Sequence, residues 1–238
     1  MLSTSPVTSW RRERNMNVTE AVARRRSVRA FKPDPVPGAL VRDILEKAAR
    51  APSGGNLQPW RVYGLAGEPL AVFNAKIAAL LQQGVPSEPV EYEVYPPDLW
   101  EPFRSRRFQA GEDLYATIDV SRDNKLGRLA QFANNYRFFG APAALFFCLD
   151  RRLGPPQWAD LGMYMQTVML LAVEAGLDTC AQEAWSRFPL TIGKALDLPE
   201  HELMFSGMAL GYADDTAPIN TLRTRRDGVD DFARLRGF

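Results

Sequence analysis

Arg24-Arg25-Arg26-Ser27-Val28-Arg29-Ala30-Phe31 puts four arginines and a serine within six residues. A guanidinium stays charged and meets phosphate with two parallel N–H donors. The hydroxyl adds a neutral donor beside it. The stretch therefore reads as a binding site for a small phosphorylated molecule. A solvated basic patch or a nucleic-acid contact is the competing reading, because arginine-rich runs are common surface features. The next informative stretch is Ala51-Pro52-Ser53-Gly54-Gly55-Asn56-Leu57-Gln58-Pro59-Trp60. Pro52 stops any preceding helix, and Ser53-Gly54-Gly55 requires a loop.

The 238 residues are 46% hydrophobic and 24% charged, which is ordinary for a globular protein with a sizeable core. Twenty-nine basic and 28 acidic residues leave a net charge of +1. A general nucleic-acid binder carries a marked basic excess, so no nucleic-acid partner is expected, and local clustering of arginine fits a small anion better. Cys148 and Cys180 lie far apart, each in an apolar run, without the paired spacing of a zinc site. They read as buried free thiols in a reducing compartment, the cytoplasm. A single histidine, His201, rules against hydrolytic triads and multi-histidine centres, and no metal is expected. No stretch reaches the roughly 18 uninterrupted apolar residues of a membrane span, so no membrane partner is expected. Residues 1–15 lack the apolar core of a secretory signal. Residues 1–16 read as a disordered extension, with Met16 as an alternative start, and residues 17–238 as one domain.

Asn17-Val18-Thr19-Glu20 carries a capping box, so a short helix should follow and end near the arginines. Pro37 is suited to open a helix over 38–50, where Leu40, Val41, Ile44, Leu45 and Ala48 fall at helical spacing. Arg61 to Leu65 reads as a strand and 69–83 as a helix. Residues 84–98 hold four prolines and no sustained period, which predicts a loop or lid. Trp100, Phe103 and Phe108 follow, mixed with Arg104, Arg106 and Arg107, and read either as a helical cover over a pocket or as a plain surface helix. Residues 121–139 read as helix, Ala143 to Leu149 as a buried strand, and 156–175 as the longest helix. From Leu161 to Val173 that helix carries no charge, so it must be buried on several sides. Leu177 to Glu183 and Leu203 to Tyr212 read as strands, with a short helix over 188–196 between them. The order gives an α+β fold with more helix than sheet. No G-x-G-x-x-G follows the first strand, which leaves a Rossmann domain unsupported.

Four blocks, RRRSVRAF, APSGGNLQPW, GLDTCAQEAW and NTLRTRRDGVDDF, with NNYRFFGAP among them, stand in order from about Val18 to the C-terminus. Together they resemble the FMN-dependent nitroreductase family. The resemblance implies a mixed central β-sheet flanked by helices, in an intertwined homodimer that holds FMN between subunits. It implies that Arg25, Ser27 and Arg29, with Arg26 between them, contact the flavin. Arg25 suits the phosphate, and Arg29 the flavin N1/O2 edge, which becomes negative on reduction. Pro52, Ser53, Gly54, Asn56 and Gln58 match the block that the other subunit supplies. Gln182, Glu183 and Ala184 match the segment beside flavin N5, although many members have glycine where this chain has Ala184. Asn134 and Arg137 match positions near the ribityl chain and the pyrimidine edge. Arg223 and Arg226 match the basic pair that closes over the phosphate, with Arg225 as a substitute for either.

The resemblance also implies ping-pong chemistry without a protein nucleophile. NADH or NADPH delivers hydride to flavin N5, and a nitroaromatic or quinone-like acceptor then collects it from the same pocket. Same-fold alternatives are a reductive dehalogenase of iodotyrosine and an enzyme that fragments FMN. The dehalogenase's lid signature is only loosely echoed by Glu91, Tyr92 and Tyr95. A non-catalytic flavin or nucleic-acid binder is the alternative of another class.

Overall fold

The computed structural model describes residues 16–84 and 88–238. The extension expected over the first residues therefore lies, up to residue 15, outside the described residues. Four strands make the sheet: β1 (Arg61–Ala66), β2 (Ala143–Asp150), β3 (Asp178–Gln182) and β4 (Glu202–Gly211), in the order β1-β2-β4-β3. All three pairings are antiparallel. The mixed character expected of the sheet is confined to one parallel bridge, Ser27 to Thr179. The chain skips one position between β2 and β3, and β4 then fills the gap between them. The first block lies along the free edge of β3.

β2 and β4 are central and buried almost throughout. Side chains alternate between the two faces of a strand, so an all-apolar strand needs cover on both. Leu145, Phe147 and Leu149 pack on one side with α2 (Gly38–Ala48) and α6 (Pro155–Glu174). Ala144, Phe146 and Cys148 pack on the other with α3 (Gly67–Gln82), Trp185 and Phe138. The capping box at Asn17 forms as the sequence predicts, with Glu20 N–H donating to Asn17 Oδ1 at 2.9 Å, and opens α1 (Val18–Arg24), which packs beside α6. Pro37 caps α2 in extended geometry from just outside, and Gly38 is the first helical residue.

The helix expected over 121–139 is shorter. It divides into α5 (Lys125–Ala133) and a 3₁₀ run over Asn134–Gly140, and a separate helix, α4 (Phe103–Ala116), precedes it. Phe138 and Phe139 take left-handed φ values of 52° and 56°. That turn carries Phe138 inward, where its ring stacks on Trp185 with centroids 4.6 Å apart. Trp185 is fully buried, a core residue and not a pocket wall. A short helix α7 (Pro189–Ala195) follows, and the tail carries one turn, α8 (Val229–Phe232). No helix among the described residues is long and apolar enough to cross a membrane.

The uncharged face of α6 is only partly covered. Gly162 has open space where a Cβ would stand, and Met163 is exposed. Val18, Val22 and Leu57 are also exposed, on elements that pack beside α6. Gly207 on β4 faces the Trp185 indole so closely that a Cβ there would overlap the ring. Gly207→Ala should therefore destabilise the fold by about 1–3 kcal/mol, as overpacking does. A urea midpoint unchanged from wild type would show that Trp185 moves aside freely.

Candidate functional site

The first block reaches its place through backbone bonds. Val28 N–H donates to Thr179 O at 3.0 Å, so residues 27–28 extend the edge of β3. The Arg29 N–H donates to the side-chain oxygen of Asn220 at 2.8 Å, and the Asn220 amide nitrogen donates to Ala30 O and Asp214 O at 2.8 and 2.9 Å. Asn220 is buried with all these bonds made. It splices the arginine block to the tail. Nothing in the sequence distinguishes it from the neighbouring Thr221 except its place at the head of the block NTLRTRR.

The four candidates of that block face different partners. Arg26 pairs with Asp215 at 2.9 Å, while its buried Nε has no partner among the described residues. Arg25 is half-buried and its side chain makes no hydrogen bond among the described residues. Arg29 donates to Ser27 O at 3.2 Å and lines a cavity of about 490 Å³. Burial pushes the Cys180 thiol up from its ordinary value, with Glu183 adding to the rise, while Arg29, Ser27 and Arg25 offset part of it. Cys180 is a buried wall of the same cavity.

Gln182, Glu183 and Ala184 line that cavity too. They lie where β3 ends and passes into a 3₁₀ turn over Glu183–Arg187. The Gln182 side chain is occupied internally: its Nε2 donates to Asn135 O at 2.8 Å and to Asn135 Oδ1 at 3.2 Å. The segment therefore offers the cavity chiefly backbone and the exposed Glu183 carboxylate. Asn135, not Asn134, borders the cavity. Asn134 instead accepts from Arg137, at 3.0 and 2.6 Å, and both stand off the cavity. The two asparagines are adjacent in NNYRFFG, and only Asn135 faces the cavity within one chain.

The second block does not reach this cavity within one chain. Residues 53–58 form a tight loop in which Gly55, Asn56 and Gln58 all have φ near +50°. Gln58 N–H donates to Ser53 Oγ at 3.0 Å, and Gln58 Nε2 donates to Asn56 O at 3.2 Å. Pro52, Gly54 and Asn56 are exposed. Gly54 N–H donates to both carboxylate oxygens of Asp160, at 3.3 and 3.2 Å. Asp160 is the buried acid in the early turns of α6, and the only hint of it in the sequence is a lone charge just before an uncharged run.

The tail candidates also stand off the cavity. Arg223 donates to Asn220 O and Leu222 O, and Arg226 donates to Thr224 Oγ1 at 2.7 Å. Arg225 is engaged with Asp113 on α4 at 3.4 Å, and Asp227 pairs with Arg106 of the same helix. Among the described residues no group of three or more acidic, histidine or cysteine side chains is arranged to hold a metal.

A family model described as the nitroreductase family matches residues 22–212. The chain belongs to the nitroreductase family. It is 36% identical over 217 residues to a 4-nitrobenzoate reductase of Pseudomonas putida, covering 91% of this chain and 94% of that protein. It is 33% identical over 218 residues to a nitrobenzene nitroreductase of Ectopseudomonas oleovorans, covering 90% and 95%. Among solved structures it is similar to the FMN and NADPH-dependent nitroreductase NfnB from sphigopyxis sp. strain HMH, with a TM-score of 0.89 and 48% identity over 94% of this chain and all of that one. Arg223 and Arg226 fall beyond the residues that the nitroreductase family model matches.

The Asp160 link gives a direct test of how the 53–58 loop is held. Asp160→Ala leaves the Gly54 N–H without its acceptor and should cost about 1–3 kcal/mol. Amide exchange over 53–58 should accelerate, with Asp160→Asn intermediate because one acceptor oxygen remains. Unaltered exchange in the alanine variant would mean that the left-handed turns alone fix the loop.

Proposed function

We propose that this nitroreductase-family chain is an FMN-dependent oxidoreductase that passes hydride from NADH or NADPH to a nitroaromatic or quinone-like acceptor, working as a homodimer. The observation that carries the reading is the meeting of Arg29 with the Gln182–Ala184 segment on one cavity, in a chain 48% identical to an FMN and NADPH-dependent nitroreductase.

The donor set fits FMN. Arg25 has an uncommitted guanidinium, and the buried Nε of Arg26 lacks a partner. A phosphate would use such donors at roughly 1.5–3 kcal/mol for each charged hydrogen bond. Arg29 is placed to hold a cation against a negatively charged ring edge. The segment Gln182–Ala184 offers backbone groups to a ring laid beside it. FMN held by these residues would supply the hydride-transfer chemistry between the nicotinamide and the acceptor. The chain's own residues bind, orient and shield, and none acts as a nucleophile. No observation favours the dehalogenase, the flavin-fragmenting or the non-catalytic alternative over this reading.

Two features support the dimer. The exposed loop carrying Ser53, Asn56 and Gln58 is tied through Asp160 to α6, and α6 presents an outward, uncharged face. Apolar surface of this kind associates, at about 25 cal/mol per Å² removed from water. Two-fold pairing then supplies the loop of one chain to the cavity of the other.

Heat-released flavin from the purified protein should co-migrate with FMN, and Arg25→Ala should weaken its retention on dialysis more than it changes the fold. Recovery of FAD, or full occupancy in the variant, goes against the respective assignment. The shared site is tested by complementation. Arg25→Ala and Asn56→Ala chains, each impaired alone, are co-expressed and the mixed dimer is purified. One of its two sites is then intact, so about half of wild-type activity should return. A mixed dimer no better than either parent overturns the composite site.

A further inference from the structure

Arg29, Arg107 and Arg187 line the cavity beside β3, against one carboxylate, that of Glu183. The surplus of positive charge is not shared evenly. Arg29 sits at the end bounded by Gln182–Ala184. Arg187 stands 5.8 Å from the centroid of the Phe132 ring. Arg107, on α4, lies 4.3 Å over the Tyr95 ring and has no carboxylate partner among the described residues. Its neighbours are neutralised: Arg104 by Glu101, Arg106 by Asp227, and Arg128 of α5 by Glu112. Arg107 and Gly111 also border a second cleft of about 830 Å³, walled by Trp100 and Phe108. Arg107 therefore stands at the junction of the two cavities.

A guanidinium stacked on a ring has its flat face occupied, while its in-plane N–H donors remain free. That planar fork matches a carboxylate with two parallel bonds. Around it the cavity walls are Tyr95, Leu114, Tyr115 and Phe132, which suit a flat aromatic molecule.

We propose that Arg107 is a specificity determinant that receives a carboxylate carried on the ring of the aromatic acceptor. The ring lies among Tyr95, Leu114 and Phe132, and the reducible substituent points to the end formed by Arg29 and Gln182–Ala184. This rests on the nitroreductase reading given above. A phosphate of the nicotinamide co-substrate would offer the same oxyanion chemistry to Arg107, and the experiment separates the two.

The FMN-loaded protein and its Arg107→Gln and Arg107→Lys variants are assayed with 4-nitrobenzoate and with 4-nitrobenzamide, its uncharged near-isostere, using NADPH and NADH in turn. Binding of benzoate and benzamide, which cannot be reduced at a nitro group, is measured in parallel by calorimetry. In the glutamine variant the ratio of kcat/KM for the benzoate over the benzamide should fall roughly tenfold or more, as loss of a charged hydrogen-bond pair implies. The Kd for benzoate should rise by a similar factor, and lysine should restore part of both. Equal losses on the two acceptors, with benzoate binding unchanged, would overturn the proposal. So would a defect confined to NADPH, which would assign the arginine to the co-substrate phosphate. A wild-type protein that reduces neither acceptor would sink the nitroreductase reading alone, because the benzoate titration still decides the role of Arg107.

Discussion

Burial of both faces of the β2–β4 pair is the constraint on which the rest of the structure depends. Between Ala143 and Leu149, and again between Leu203 and Gly211, neither strand carries a charged side chain. A half-exposed sheet would leave one apolar face in water, at about 25 cal/mol per Å². Helices α2 and α6 therefore cover one side, and α3, with the Phe138–Trp185 stack, covers the other. Covering both faces leaves the strand edges as the places where polar chemistry is affordable. The cavity lies at such a place, where β3 ends and the arginine block runs along its outer edge.

Most of the fold was legible in the sequence because its elements are strongly patterned. The capping box at Asn17, the apolar strands and the uncharged stretch of α6 each carry a local physical signal, and each forms where that signal lies. The failures share a cause as well. The left-handed turn at Phe138 and Phe139 brings the Phe138 ring onto Trp185, far along the chain, and no local propensity encodes that contact. The antiparallel pairing of the four strands is likewise a matter of tertiary order, which periodicity does not report.

The site was legible in part. Charge density pointed to Arg25 and Arg29, and the Gln182–Ala184 segment came from the resemblance of its block. Asn220 and Asp160 were not visible, because each acts through bonds to distant backbone: Asn220 to Arg29 and Ala30, Asp160 to Gly54. A single asparagine or aspartate has no pattern to betray it. Asn134 came from the resemblance of its block, whereas the side that borders the cavity, that of Asn135, depends on the phase of a 3₁₀ run, which a sequence block does not report. Arg26 shows the reverse case, a residue in the right cluster whose guanidinium is turned in part to the tail through Asp215.

The splice at Asn220 has a consequence for the order in which the molecule is made. Its bond to the Arg29 amide joins residues 191 positions apart, and the Arg26–Asp215 pair spans 189. Closing a span of that length carries a chain-entropy cost that local helices do not face. A nascent chain emerging from the ribosome exposes its arginine block long before the anchors Asp215 and Asn220 are synthesised. Until then the block has only those partners that lie upstream of the tail, such as Thr179. Helices α1 and α2 can form early from local contacts alone, whereas the cavity rim is set only once Asn220 has emerged and can meet the Arg29 amide.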